Sequence, residues 1–180
     1  MKVIKQNKGF TLFELIVTTV IILIVSGLAI GNFSAYLSTG RQRMLENVGN
    51  QIDLARAYAQ TQAYPTYIEF TKDESKRQNI ATIYIKKGSD ASATKEILSE
   101  EAIGNSQYTL LYIPFGTSNF TASVTSDNSL TLGFNKANLS FKTSDTLNSS
   151  CTYTKQIKVD NSEKILYLVK DTGRTYLEIS

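Results

Sequence analysis

The chain has 180 residues, 42% of them hydrophobic, which excludes disorder throughout and allows one domain with an appended segment. Its 19 basic and 16 acidic residues leave a formal charge of +3, but Lys2, Lys5 and Lys8 supply three positive charges before the first acid. Without them 16 bases face 16 acids, so the basicity sits where a targeting segment carries it and says little about nucleic acid. There is no His and one Cys, Cys151, which excludes an intramolecular disulfide and a zinc site built from Cys and His. Cys151 reads as a small buried hydrophobe.

After the basic leader (residues 1–9), residues 10–30 are almost wholly apolar. A helix of that length reaches about 31 Å, the thickness of a bilayer's hydrocarbon core. Lys2, Lys5 and Lys8 stand before it and Arg41 and Arg43 well beyond it, so the positive-inside rule predicts a cytoplasmic amino terminus and an exported remainder. Glu14 is the only charge inside the run. A carboxylate there costs about 2.5–3.5 kcal/mol, so it needs a partner or a task. Leu12, Phe13, Leu15 and Ile16 offer no counter-charge, which directs the expectation to another molecule or to chemistry that creates a positive group nearby.

Lys8-Gly9-Phe10-Thr11-Leu12-Phe13-Glu14-Leu15-Ile16 resembles the cleavage and methylation motif of type IV pilins and type II secretion pseudopilins. The resemblance implies that a prepilin peptidase cuts after Gly9 and methylates the new terminus at Phe10. Cutting converts the neutral Gly9–Phe10 amide into a cationic amine, and N-methylation keeps the charge. Glu14 would then set register against the Phe10 amine of a neighbouring subunit. The chain carries Gly31 where many members have Pro, and Gly27, Gly31 and Asn32 can loosen a helix in another way. Two other readings of the segment are a secretory signal peptide cut at Gly27-Leu28-Ala29 and an uncleaved anchor; against the first, the apolar run exceeds the usual h-region of about 7–15 residues and holds Glu14, and the second leaves Glu14 unexplained.

Leu45, Val48, Ile52, Ala55 and Ala59 recur at helical spacing, which predicts one helix from about residue 10 to residue 62, its second half (31–63) amphipathic and packed on a head formed by 64–180. Pro65 stops it. Strand patterns follow at 66–70, 80–85, 108–113, 130–134, 139–142, 153–159, 165–169 and 175–179, with 88–106 read as a polar surface excursion. Gly173 suits the last hairpin, between 165–169 and 175–179. The expected fold class is α+β, a long amino-terminal helix packed on an antiparallel sheet. Within the family the chain is most similar to minor pseudopilins of the GspH/FimT type, on the closing Thr172-Gly173-Arg174 turn and, loosely, on Ile113-Pro114-Phe115-Gly116. That implies a role in filament initiation or at the tip, and as partners the prepilin peptidase, other pilin or pseudopilin subunits, an inner-membrane assembly platform and the lipid membrane.

Nothing in the head reads as catalytic. Without His the common bases and triads are missing, and Asp73-Glu74 and Glu100-Glu101 are sequence neighbours whose side chains diverge. No cofactor motif is present. Asp160, Asn161 and Glu163, or Asp90 with Glu96, are the groupings a calcium ion would use, but they lack an EF-hand pattern and read as turns. Asn119, Asn138 and Asn148 begin glycosylation-like triplets and also read as turns. The competing functions are a DNA-binding competence pilin, using Lys155, Lys158, Lys164, Lys170 and Arg174 among interleaved acids, and an anchored exported domain unrelated to filaments.

Overall fold

The computed structural model describes residues 11–88 and 93–179, with side chains apart from those of 27–37. The chain divides into two units, residues 1–38 and 39–180. Helix α1 runs Leu12–Thr61 and stays helical through Gly27, Gly31 and Asn32. It ends where Pro65 restricts Tyr64, with the Gln62 N–H still donating to Tyr58 O at 2.8 Å. Phe10, the expected first helical residue, lies outside the described residues.

Among the described residues the second unit contains nine strands: β1 Thr66–Asp73, β2 Gln78–Lys87, β3 Thr94–Asn105, β4 Leu110–Pro114, β5 Ala122–Ser123, β6 Leu130–Gly133, β7 Thr154–Val159, β8 Lys164–Val169 and β9 Arg174–Ile179. They form two antiparallel sheets, in the orders β3-β2-β1-β6 and β5-β4-β7-β8-β9. Ile68 pairs with Ile83 and Leu132, and Phe70 with Ala81 and Leu130, so these apolar side chains share one face. They are buried, as is the stripe Leu45, Val48, Ile52, Ala55 and Ala59 of α1. The helix touches both sheets. Asn47 donates to Ile103 O on β3 (3.0 Å), and Arg56 donates to Thr172 O in the β8–β9 turn (3.0 Å). Small residues allow the close approach: a Cβ at Gly40 would stand 2.4 Å from the Tyr108 hydroxyl.

Two strand expectations need correction. Residues 94–105, read as a surface excursion, form the longest strand, pairing with β2 from Gln78↔Asn105 to Lys87↔Thr94. It is an edge strand whose one buried residue is Ile103, so it lacks the apolar alternation that marks a half-buried strand. Residues 139–142, read as a strand, give only the bridge Phe134↔Phe141. Leu139 sits at φ 60, outside the strand region, and ends the run before it begins.

The other face of the first sheet is closed by the segment before β7. Tyr67 and Tyr84 stack at 5.4 Å and bury Cys151 between sheet and segment. Asp145 accepts hydrogen bonds from the Tyr67 hydroxyl (2.6 Å), the Leu147 N–H (3.0 Å) and the Lys142 ammonium. Asn148 donates to the Tyr84 hydroxyl at 2.8 Å, and Lys86 to Leu147 O at 2.6 Å. Burial alone would raise the Asp145 pKa, but these donors outweigh it and hold the carboxyl below its usual range. A depressed folded-state pKa contributes stability above the unfolded value, near 4, and loses it as pH falls through the folded value. The stability advantage of the wild type over Asp145→Asn, measured by urea unfolding, should therefore be full at pH 6 and shrink below about pH 4.

Burial pushes the Cys151 thiol up to about 11. Near pH 8 that leaves about a hundredfold less thiolate than in the unfolded chain, before steric protection is added. Labelling by a thiol reagent should be slower than in urea by at least that factor. Equal rates would show that the segment does not stay closed over the sheet.

Candidate functional site at the amino-terminal helix

The first turn of α1 is built as a capping box. The Thr11 N–H and hydroxyl both donate to Glu14 Oε2 at 3.0 Å, and the Thr11 hydroxyl accepts from the Glu14 N–H at 3.2 Å. The carboxylate also stands at the positive end of the helix dipole. Glu14 thus has a hydrogen-bonding partner in its own chain, Thr11, in addition to the counter-charge expected from another molecule or from chemistry that creates a positive group nearby. The Thr-x-x-Glu spacing at 11–14 is the sequence signal of this cap. The cap supplies hydrogen bonds but no cation. Both contacts to the carboxylate use Oε2, and among the described residues Oε1 accepts no hydrogen bond.

The neighbouring hydroxyls are satisfied within the helix. Thr18 donates to Glu14 O at 2.8 Å and Thr19 to Leu15 O at 2.8 Å, so neither needs an outside partner. What remains is apolar on every side: Leu12, Phe13, Leu15, Ile16, Val20, Ile21, Leu23 and Ile24 are each at least 48% exposed. Such a helix is stable only when something nonaqueous covers it. Among the described residues no helix is long and apolar enough to cross a membrane. The expected crossing at residues 10–30 extends past them: Phe10 is not described, nor are the side chains of 27–37, and the apolar run from Leu12 to Val25 falls short of the roughly 20 residues a crossing takes. Gly9 and Phe10, the expected cleavage and methylation positions, also lie outside the described residues.

The head's candidate groups are accounted for as turns and surface pairs. Asp160 Oδ1 accepts from the Thr109 N–H (3.0 Å), and Asn161, at φ 52, forms the β7–β8 turn. Glu96 pairs with Lys87, while Asp90 is outside the described residues. Among the described residues no grouping of His, Cys, Asp or Glu could hold a metal ion. Asp73 Oδ1 caps the β1–β2 turn through Ser75 and Lys76, and Glu74 pairs with Lys72. Glu101 accepts from Gln51 on α1. Lys155, Lys158, Lys164, Lys170 and Arg174 lie along β7 to β9, interleaved with Asp160, Glu163, Asp171 and Glu178; the Lys158 ammonium sits over the Phe120 ring at 4.5 Å.

Residues 4–30 match the family model of the prokaryotic N-terminal methylation motif. This stretch brackets the capped helix start and the apolar segment, and it marks the amino terminus as type IV prepilin-like. No curated protein and no solved structure matches the chain.

Proposed function

We propose that the chain is a minor pilin or pseudopilin subunit with a structural and assembly role rather than a catalytic one. The carrying observation is a helical segment, residues 12–26, apolar and exposed on all sides, whose single acid, Glu14, has no hydrogen bond to Oε1 among the described residues and lies within a methylation motif. The prepilin peptidase cuts between Gly9 and Phe10 and methylates the Phe10 amine. The segment 10–30 holds the subunit in the cytoplasmic membrane as a single span with its head exported, and then enters the filament core. There Glu14 Oε1 meets the Phe10 amine of a neighbour while Oε2 keeps the Thr11 cap. The Gly173-Arg174 turn supports a place near the GspH/FimT type, in initiation or at the tip of a secretion or pilus filament.

The test is the amino-terminal residue and intact mass of the protein recovered from its native membrane with the peptidase present. A chain that begins at methylated Phe10 is the expected result. A start at Ile30 or an intact leader would overturn the processing step and with it the filament role.

A further inference from the structure

The two sheets have four edges, and among the described residues three of them are guarded. The outer strand β3 carries Lys95, Glu96, Glu100 and Glu101, its pairing with β2 has two register shifts, and Asn47 occupies the Ile103 carbonyl. Each of these is a known defence against strand addition. At the other edge of that sheet, β6 is four residues long and buried, and the Cys151 segment bridges it, with the Thr152 N–H donating to Thr131 O at 2.9 Å. The edge strand β5 has two residues, and the Asn128 side chain caps its Ser123 carbonyl at 2.7 Å.

The fourth edge, β9, has no register shift, no capped carbonyl and no covering segment among the described residues, and its two charges are of opposite sign. It is six residues long, regular in its pairing with β8, and free of Pro and Lys. Its apolar side chains are open to solvent: Tyr176 is 50% exposed, Leu177 39% and Ile179 69%. Arg174, Tyr176 and Glu178 alternate along one face, and the Tyr176 ring stacks on Tyr167 of β8 at 5.1 Å and 6°. Neither Arg174 nor Glu178 is in an ion pair among the described residues, although Asp53 on α1 lies close enough to Arg174 to feel its charge.

We propose that β9 pairs antiparallel with β9 of a second copy of this chain about a two-fold axis at Tyr176. With Tyr176 opposite itself, Arg174 stands opposite Glu178 of the other copy, and Glu178 opposite its Arg174. The two sheets then join into one with like faces matched, and the Tyr167–Tyr176 stack continues across the axis. A one-residue slip sets the inner face of one strand against the outer face of the other. Parallel pairing sets Arg174 beside Arg174 and Glu178 beside Glu178. The charge pattern therefore selects both the orientation and the register, and β9 complements itself.

The experiment uses the full chain in detergent, with sedimentation equilibrium as the readout. The wild type is expected to be a dimer. Arg174→Glu and Glu178→Arg each replace two opposite-charge pairs by two like-charge pairs and should weaken dimerisation about tenfold or more. The double reversal should restore it. Glu178→Arg is the cleaner single variant, because Arg174→Glu also brings an acid towards Asp53. In a Cys151→Ala background, Tyr176→Cys should form a disulfide-linked dimer under mild oxidation, and Ile97→Cys on β3 should not. A monomeric wild type, a dimer indifferent to both single reversals, or equal cross-linking at positions 97 and 176 would overturn the pairing.

Discussion

Gly173→Ala should destabilise the head by about 2–4 kcal/mol and lower its midpoint of thermal unfolding by roughly 10 °C. Gly173 sits at φ 62, where any other residue is strained, and its N–H donates to Val169 O at 2.9 Å to close the β8–β9 turn. A Cβ there would also stand 2.0 Å from the backbone oxygen of Leu139. That oxygen cannot easily retreat, because Phe141 is tied to the same turn by its N–H to Lys170 O at 2.8 Å. Gly116→Ala is the control. Gly116 has φ 85 with nothing within 4 Å of its notional Cβ, so it meets the backbone strain alone, about 1–2 kcal/mol. Equal losses in the two variants, read by thermal or urea unfolding, would show that the contact with Leu139 does not constrain the turn.

At Glu14 two variants separate two roles. Gln at the third helical position also completes a capping box, so Glu14→Gln keeps the Thr11 cap and removes the charge, whereas Glu14→Ala removes both. If the carboxylate meets the Phe10 amine of a neighbour, both variants should be processed normally and both should fall in filament incorporation by about tenfold or more, the equivalent of about 1.4 kcal/mol. Incorporation is read from the subunit recovered in sheared filaments against the membrane pool. A Glu14→Gln subunit that incorporates like wild type would assign Glu14 to capping alone. The head should remain folded in both variants, since residues 39–180 form a separate unit.

The helix, the strands with apolar faces and the closing hairpin were legible in the sequence, because burial imposes a period on the residues that carry it. Leu45, Val48 and Ile52 repeat at 3–4 residues, and Ile83 and Ile85 at two. The edge strand β3 was not legible, since it is held by backbone pairing to β2 and exposes most of its side chains. Nor was the closure by Asp145, whose partners Tyr67 and Lys142 lie 78 and 3 residues away and are joined only by the fold. The site divides in the same way. The charge of Glu14 inside an apolar run is visible at once, while its bond to Thr11 depends on where the helix begins.

The Arg56 contact with Thr172 joins residues 116 positions apart, and the turn it holds comes just before the last strand. The helix and the β8–β9 turn therefore meet only after everything between them has been made. A chain made or threaded across a membrane in the order of its residues carries this part of the helix unsealed until the β8–β9 turn follows, so the contact is a late one to form. A tag placed after Ile179 would burden that final step, whereas one in the β1–β2 turn, at Glu74 or Ser75, would leave it alone.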